Sequence, residues 1–375
     1  MAEFGVYVHL PWCERKCPYC DFNSHERSHE RSEGLPEDAY VQALIQDLKQ
    51  DAAIAGRRSV TSVFFGGGTP SLFSAPAIGR IIRAIDDELG IAGDAEITLE
   101  ANPGSSETSK FAGFRDAGVN RLSLGIQSFN AEALRALGRI HDPAQARRAI
   151  AAAQAAGFDN FNIDLMHGLP GQRVADAEAD LAEAIGLGPT HLSWYQLTIE
   201  PNTAFYSAPP PLPPEDDLAD IQDMGWALLA AHGFEHYEVS AFCQPGRGSR
   251  HNLTYWAFED YLGIGAGAHG KLSDGACIKR SQKTRMPESY MQGRPPAFTA
   301  VPRDELAFQF MLNRLRLRSG CEESEFERQT GQPLDSISKP LAKARELGLM
   351  HPARLQATDR GWLFLNSLTA LFLPD

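Results

Sequence analysis

Three of the six cysteines lie close together near the start of the chain, at Cys13, Cys17 and Cys20. Their C-x3-C-x2-C spacing puts three thiolates in one loop, which favours a metal or iron–sulfur site over disulfides. A structural zinc ion normally has four protein ligands, so it would need His9 or His25 as well. A 4Fe-4S cluster held by three thiolates would leave one iron open to bind a small molecule. Both kinds of site are hypotheses that the cysteines alone allow.

A glycine-rich run, GGGTP at residues 66–70, is the second feature with a spacing typical of binding. Glycine lets a ligand approach the backbone closely, although this spacing matches neither a phosphate-binding loop nor a dinucleotide fingerprint. Parallel strands bring their carboxyl ends to one edge of a sheet, where ligands bind. Polar residues stand at or near the ends of the later predicted strands: Glu100, Gln127, Asp164 and Gln196. We therefore expect these residues and the cysteine loop to form one site.

The elements that would position these residues alternate between strands and helices. Apolar runs rich in Val, Ile, Leu and Phe predict strands over 4–9, 60–65, 96–100, 121–126, 160–166 and 191–196. Apolar residues at helical spacing predict helices over 37–55, 75–89, 106–117, 143–156 and 174–187. Glycines stand at or just past the ends of these helices. The alternation predicts an α/β fold with a parallel sheet.

The remainder of the chain has a different pattern. A proline-rich run at 209–214 predicts a stiff connector, and a helix over 215–232 and a strand over 237–241 follow it. A polar, glycine-containing segment over 242–275 predicts loops, and helical patterns return over 303–316, 322–330 and 335–347. We therefore expect three parts: residues 1–208, a linker with an associated segment over 209–300, and a small, mainly helical C-terminal domain over 301–375.

Composition excludes some classes of function. The chain has 375 residues and a formal net charge of −13, from 35 basic and 48 acidic residues. Domains that bind nucleic acid are usually basic, so nucleic acid is not an expected partner. The longest nearly apolar stretch, 362–373, is shorter than the roughly 20 residues of a membrane helix, so no transmembrane segment is expected. The first residues lack the pattern of a secretion signal, and we predict a cytoplasmic location.

The motifs together resemble the radical S-adenosylmethionine (SAM) superfamily. The resemblance rests on the three cysteines, the GGGTP run, and Glu100, Gln127 and Asp164. The runs YVHLPWC at 7–13, NRLSLGIQSF at 120–129 and DLMHGLPGQ at 164–172 are similar, more narrowly, to the branch with the oxygen-independent coproporphyrinogen III dehydrogenases and the HemW-type heme chaperones. That branch has a partial (β/α)6 barrel, in agreement with six predicted strands. The predicted fold class is α/β, a partial (β/α)6 radical SAM barrel with a small, mainly helical C-terminal domain.

The resemblance also implies roles for individual residues. Cys13, Cys17 and Cys20 would ligate a 4Fe-4S cluster, and the fourth iron would bind the methionyl group of S-adenosyl-L-methionine. The residues implied to contact this cofactor are Gly67, Gly68 and Thr69 at its methionyl end, with Glu100, Tyr7, Tyr19, Gln127, Arg139 and Asp164. A carboxylate such as Asp164 suits ribose hydroxyls, and the forked guanidinium of Arg139 suits a carboxylate.

Two departures distinguish this chain from the dehydrogenases. Their motif has a further cysteine two residues beyond the third, where this chain has Phe22. They also have an extension before the first strand, where this chain has only six residues before Tyr7. Both features belong to the substrate end of the dehydrogenases, so the resemblance favours the heme chaperones.

The run HNLTYW at 251–256 is similar to a motif of the HemW group that is linked to heme binding. His251 would then be an axial iron ligand, and Tyr255 and Trp256 would offer flat apolar surface to the macrocycle. In the structural alternative, His251 caps a turn and the two aromatic rings fill the interdomain core. His269 is a second candidate ligand.

We therefore predict a heme chaperone that carries a 4Fe-4S cluster and a SAM site, binds heme as cargo and transfers it to acceptor hemoproteins. The cluster and cofactor would regulate transfer or the formation of a homodimer. The first alternative is a coproporphyrinogen III dehydrogenase, which converts two propionates to vinyl groups by radical hydrogen abstraction. The second, from another class, is a binding module stabilised by zinc.

Overall fold

The computed structural model describes residues 3–26, 34–275, 277–293 and 297–374. Six consecutive parallel strands form its centre: β1 (Phe4–Leu10), β2 (Val60–Gly67), β3 (Ile91–Ala101), β4 (Arg121–Gln127), β5 (Phe161–His167) and β6 (His191–Gln196). All six strand predictions are confirmed, with ends that shift by a few residues. The strands are almost continuously buried, which explains their nearly unbroken apolar character.

Helices connect these strands, as the crossovers between parallel strands require. Those of the barrel are α1 (Glu37–Ala55), α2 (Ala75–Glu88), α3 (Ser105–Thr108), α4 (Phe111–Asp116), α5 (Ala131–Ala136), α6 (Pro143–Ala155), α7 (Val174–Gly186), α8 (Ala204–Ser207) and α9 (Glu215–Ala231). The single helix predicted over 106–117 is wrong, because this stretch forms the two short helices α3 and α4. The other helix predictions in this part agree with the structure to within a residue or two.

The segment predicted as loops over 242–275 contains regular structure. The strands that follow the barrel are β7 (Glu235–Glu238), β8 (Ala241–Cys243), β9 (Asp260–Ile264), β10 (His269–Asp274), β11 (Cys277–Gln282) and β12 (Phe298–Ala300), and helix α10 (Arg250–Trp256) precedes β9. These elements are too short for a clear periodicity. Their glycines fit close packing: a Cβ on Gly263 would lie 1.9 Å from the His269 carbonyl oxygen. The loop prediction is therefore wrong for much of this segment.

These later strands extend the sheet at both sides. Across the described residues, the order is β12-β11-β10-β9-β1-β2-β3-β4-β5-β6-β8-β7. Strand β9 pairs in parallel with β1, with Val6 opposite Leu262, so the chain returns to the first strand after two hundred residues of barrel. The β10–β11 hairpin then continues antiparallel beyond β9.

The last part of the chain is mainly helical and has its own apolar core. Helix α11 (Pro287–Met291) precedes this part. The helices of the part itself are α12 (Arg303–Arg314), α13 (Glu323–Thr330), α14 (Ser338–Glu346), α15 (Asp359–Leu363) and α16 (Leu365–Ala370). Phe310, Phe326 and Leu341 are at the centre of this core. Phe258 and Ile278 join it from the β9–β11 edge, so the C-terminal helices pack on that edge. The domain boundaries at 208 and 300 stay predictions.

Within the described ranges, we found no helix with the length and apolar character that a bilayer crossing requires.

Candidate functional site

The cysteine loop leaves the carboxyl end of β1 and folds back on itself. A short parallel pairing joins Trp12–Cys13 to His25–Glu26, and the His25 N–H donates to the Pro11 carbonyl over 2.7 Å. Cys13 is buried, Cys17 and Cys20 are half-buried, and all three are free thiols. The loop therefore presents three unpaired sulfurs at the end of the barrel where the sequence analysis expected the site.

The environment of the thiols fits an iron–sulfur cluster. Burial and the neighbouring Cys20 raise the pKa of Cys13 to about 11, so its thiolate needs a positive partner such as a metal centre. The Arg139 guanidinium donates to the Cys17 sulfur at 3.6 Å, which favours a thiolate there. A single zinc ion would need its ligands about 2.3 Å away. Among the described residues, no three His, Cys, Asp or Glu side chains converge in that way.

The glycine-rich run packs tightly against the cysteine loop. A Cβ on Gly68 would lie 2.5 Å from the Trp12 carbonyl oxygen, so only glycine fits there. The backbone N–H groups of Gly67, Gly68 and Thr69 donate to Glu100, Leu10 and Trp12, respectively, over 2.8–3.2 Å. These three N–H groups are therefore occupied by acceptors within the chain. The run instead positions Gly67 and Glu100 beside the cysteine loop.

Polar residues of three strands face the interior of the barrel. Tyr7, Glu100 and Asp164 are half-buried, although most of their strand neighbours are fully buried. Burial and the nearby Asp164 carboxylate raise the pKa of Glu100 to about 8, and burial also raises the pKa of Asp164. No described Lys or Arg forms an ion pair with either carboxylate. The interior thus holds two carboxyl groups without an ion-pair partner among the described residues, and a cationic ligand would stabilise their ionised form.

A hydrogen-bonded chain links Arg139 to the glycine-rich run. Its Nη2 donates to the Asn102 Oδ1 at 2.6 Å and to the Gly125 carbonyl at 2.7 Å, and Asn102 donates to the Thr69 hydroxyl at 2.9 Å. The Arg139 Nε is buried without an acceptor in the described chain. A cavity of about 210 Å³ lies here, and Cys17, Thr69 and Arg139 are in its wall. An anionic group of a ligand would find an unused donor at this position.

Gln127 and Tyr19 lie near these residues but outside the walls of both cavities. Gln127 ends β4 with φ 69°, a conformation that non-glycine residues adopt rarely and mainly at functional sites. Its Oε1 accepts from the Tyr195 hydroxyl at 2.7 Å. Tyr19 packs against Phe205, with ring centroids 6.3 Å apart, and burial raises the pKa of its phenol.

A larger cavity of about 600 Å³ brings two predicted sets of residues together. Tyr7, Gly67 and Glu100, implied in cofactor binding, form one part of its wall. Tyr255 and Trp256, implied in heme binding, form another. Both rings border open space, and the Arg316 guanidinium lies 4.2 Å from the centre of the Trp256 ring, so packing and ligand binding both stay predictions for them.

The position of His251 differs from that of Tyr255 and Trp256. Its imidazole is only 1% exposed and is not in the cavity wall. Its Nδ1 lies 3.0 Å from the Ser62 hydroxyl and its Nε2 lies 2.7 Å from the Tyr255 hydroxyl. Both nitrogens are therefore occupied, and in this conformation the predicted axial ligand cannot reach an iron. This correction follows from packing that the motif alone does not reveal.

The sequence analysis missed several residues that border the larger cavity. Asn23 follows the cysteine loop, Tyr261 lies on β9, and Arg285 follows β11. Tyr195 was missed in the barrel interior as well. Only Asn23 had a signal in the sequence, its closeness to Cys20; the others reach the site through contacts between distant segments.

Comparisons with known proteins agree with this geometry. The family model of the radical SAM superfamily matches residues 7–184, and that of the HemN C-terminal domain matches residues 301–364. The curated relatives include a heme chaperone HemW of Escherichia coli (49% identical; 100% of this chain and 99% of the relative) and one of Bacillus subtilis (33%; 99% of each).

A solved structure has the same fold. The coproporphyrinogen III oxidase HemN of Escherichia coli, described as a radical SAM enzyme, superimposes with a TM-score of 0.81 at 25% identity, covering 99% of this chain and 90% of that one. The full-length similarity to the chaperones, together with the barrel and its cysteine loop, establishes the family. This chain belongs to the HemW family of the radical SAM superfamily.

Proposed function

We propose that this chain is a heme chaperone that carries a 4Fe-4S cluster and SAM, binds heme in the 600 Å³ cavity and delivers it to acceptor hemoproteins. The observation that supports this most is that the cofactor-binding and aromatic residues border one cavity. Its volume lies within the 300–1,000 Å³ typical of ligand sites. Relatives that are similar over the whole chain are heme chaperones.

The proposed cluster would be held by Cys13, Cys17 and Cys20. When bound, such a cluster supplies one-electron chemistry and an open iron for the methionyl amino and carboxylate groups of SAM. The protein's part is to hold and shield it: the thiols lie in a loop fixed by backbone hydrogen bonds, and the Arg139 guanidinium lies against the Cys17 sulfur. The unused Nε of Arg139 could also meet the cofactor carboxylate.

SAM suits the interior next to this loop because of its charge. Its sulfonium is cationic, and Glu100 and Asp164 are carboxylates without an ion-pair partner among the described residues. Asp164 is held by the Asn162 amide at 2.8 Å and the Ser123 hydroxyl at 3.1 Å, which fixes its oxygens for ribose hydroxyls. Tyr7 and Gly67 border the larger cavity together with Glu100.

Heme is flat and largely apolar, so it suits the part of the cavity wall that carries aromatic rings. Tyr255 packs edge-on against Tyr261 with centroids 4.5 Å apart, so the two rings form a fixed aromatic corner. Phe22 also borders the cavity and is 61% exposed, unusually open for so large an apolar side chain. A macrocycle placed between these rings would cover them, which supports the binding of an apolar, planar cargo.

The second candidate is the dehydrogenase, and the fold match to the coproporphyrinogen III oxidase favours it. Phe22 counts against it, because the dehydrogenase motif has a cysteine at that position. Phe22 borders the cavity, so a ligand bound there would contact an aromatic ring at the position where the dehydrogenases have a thiol.

An anaerobic assay separates the two candidates. Reconstituted protein, with iron and sulfide near four per chain, is given reductant, SAM and coproporphyrinogen III, while a parallel sample is titrated with heme. We expect stoichiometric heme binding, transfer to an apo-hemoprotein and no protoporphyrinogen. Sustained protoporphyrinogen formation would replace the chaperone proposal with the dehydrogenase. Iron content near zero with zinc near one would overturn both.

A further inference from the structure

Three histidines lie on or next to the larger cavity, and two of them have both ring nitrogens occupied. His9 borders the cavity, but its Nδ1 lies 3.0 Å from the Tyr7 hydroxyl and its Nε2 2.9 Å from the Asn23 carbonyl. His251 is held between Ser62 and Tyr255. His269 borders the cavity, is exposed, and makes no hydrogen bond through its ring in the part of the chain described.

The phenols around the cavity are occupied as well. The Tyr7 hydroxyl contacts His9, the Tyr255 hydroxyl contacts His251, and the Tyr261 hydroxyl accepts from Arg280 at 2.9 Å. No cysteine or methionine is among the residues of the cavity wall. Of the groups that bind heme iron in proteins, His269 is therefore the one in this wall that is free to do so.

We propose that His269 is the axial ligand of the heme iron and that Arg285 binds a heme propionate. This inference rests on the proposed function, and it assigns the ligand to a residue outside the HNLTYW motif. Arg285 borders the same cavity, is exposed, and its guanidinium has no acceptor among the described residues. A guanidinium binds a carboxylate through two parallel hydrogen bonds, which would orient the macrocycle as well as hold it.

One hairpin places both residues. His269 begins β10 and pairs with Gln282, the last residue of β11, and Arg285 follows three residues later. The Gly267 N–H donates to the Thr284 carbonyl and the Lys283 N–H to the Ala268 carbonyl, both over 2.9 Å. The open end of the hairpin is therefore fixed before any ligand arrives.

A buried ion-pair group anchors this end of the hairpin to α1. The Lys283 ammonium lies 2.6 Å from an Asp47 oxygen and 2.8 Å from an Asp51 oxygen, and both carboxylates are buried. Because Lys283 is engaged in this way, it does not compete with Arg285 for a propionate. The Arg280 guanidinium is engaged too, with Tyr261 and Gln309.

The environment of His269 favours the form that binds iron. Partial burial, Arg280 and Arg285 lower the pKa of its imidazole, so the ring is neutral at pH 7 and offers a lone pair. Phe22 and Tyr261 border the same space, so a macrocycle ligated by His269 would have apolar contacts.

Heme titration of the cluster-loaded protein tests the ligand. We expect His269→Ala to lose the imidazole-ligated Soret and EPR signature, and added imidazole to restore it. His251→Ala, where folded, should keep that signature, and His232→Ala, at an exposed histidine away from the cavity, serves as the matched control. A His269→Ala spectrum identical to that of the original protein would overturn the assignment. So would loss of the signature in His251→Ala alone.

Heme dimethyl ester tests the propionate contact. We expect Arg285→Gln to weaken heme binding about tenfold, as loss of a charged hydrogen bond does, and to leave binding of the ester unchanged. Arg57→Gln, at an exposed arginine outside the cavity, should change neither. Equal weakening for heme and its ester would overturn the role of Arg285. If the original protein binds no heme at all, the proposed function itself fails, a result distinct from an altered ligand in a protein that binds heme.

Discussion

The imidazole Nε2 of His251 and the hydroxyl of Tyr255 lie 2.7 Å apart, one turn apart on helix α10. Residues at i and i+4 of a helix share a face, so the spacing in HNLTYW is the spacing that this contact requires. The Ser62 hydroxyl holds the other side of the imidazole. His251 therefore acts as a positioning residue that fixes the Tyr255 ring at the wall of the cavity.

Replacing His251 is expected to lower the stability of the protein and to leave the proposed axial ligand of the heme iron in place. His251→Ala leaves the Ser62 and Tyr255 hydroxyls without a buried partner and should lower the free energy of unfolding by about 2 kcal/mol. Tyr255→Phe removes one of these contacts and should cost about half as much. Urea unfolding of the two single variants and the double variant measures the coupling between them. Additive losses in the double variant would show that the two side chains do not interact.

Asn23 is expected to couple the cysteine loop to the β10–β11 hairpin, which we propose to bind heme. Its amide donates to the Ala266 and Arg285 carbonyls over 2.9 Å each, and a Cβ on Gly267 would lie 2.5 Å from it. Asn23→Ala should weaken heme binding severalfold while iron and sulfide contents stay unchanged. Heme titration and metal analysis measure the two effects. Asn366→Ala, at an exposed asparagine of α16, is the control; unaltered heme affinity in Asn23→Ala would contradict the coupling.

Glu100 is expected to make stability depend on pH. Its pKa is about 8 in the folded chain against 4.5 ordinarily, so between these values the folded state holds an extra proton. The free energy of unfolding therefore falls as pH rises through this window, by at most about 1.4 kcal/mol per pH unit. Glu100→Gln should remove that slope, and SAM should reduce it because a bound cation lowers the pKa.

Unfolding curves of the cluster-free protein from pH 5 to 8 measure this slope. Glu132→Gln is the matched control, since the Glu132 side chain is 88% exposed. Equal slopes in Glu100→Gln and the original chain would assign the pH dependence to other groups, among them Asp164 and Asp180, whose pKa values burial also raises.

Arg139 is expected to raise the reduction potential of the proposed cluster. Its guanidinium reaches the Cys17 sulfur, Asn102 and Gly125 together, and hydrogen bonds and positive charge at a ligating sulfur raise the reduction potential of a cluster. Arg139→Gln should therefore lower the midpoint potential, and Arg139→Lys, which keeps the positive charge, should lower it by less. An EPR-monitored redox titration measures both, with the exposed Arg135→Gln as control. An unchanged potential at full iron content would contradict this role.

The barrel and the chemistry of its open end could be predicted from the amino-acid sequence. Strands buried on both faces and helices with one apolar face leave periodic patterns, so six β/α units were predictable. The thiols of Cys13, Cys17 and Cys20 share one short loop, so their grouping needed no knowledge of distant contacts. The polar ends of parallel strands meet on one edge by topology, which predicted Glu100 and Asp164 as neighbours.

Which side chains are free to act depends on packing between distant segments, which could not be predicted from the sequence. The Asn23 contact with Ala266 joins residues 243 positions apart, and the pairing of β9 with β1 extends the sheet beyond its first strand in a way that no local pattern predicts. The same long-range packing encloses His251 and leaves His269 open. A motif shows which residue types occur together along the chain, but it does not show which hydrogen-bond partners folding places beside them. A histidine nitrogen is free to bind a metal only where no such partner occupies it.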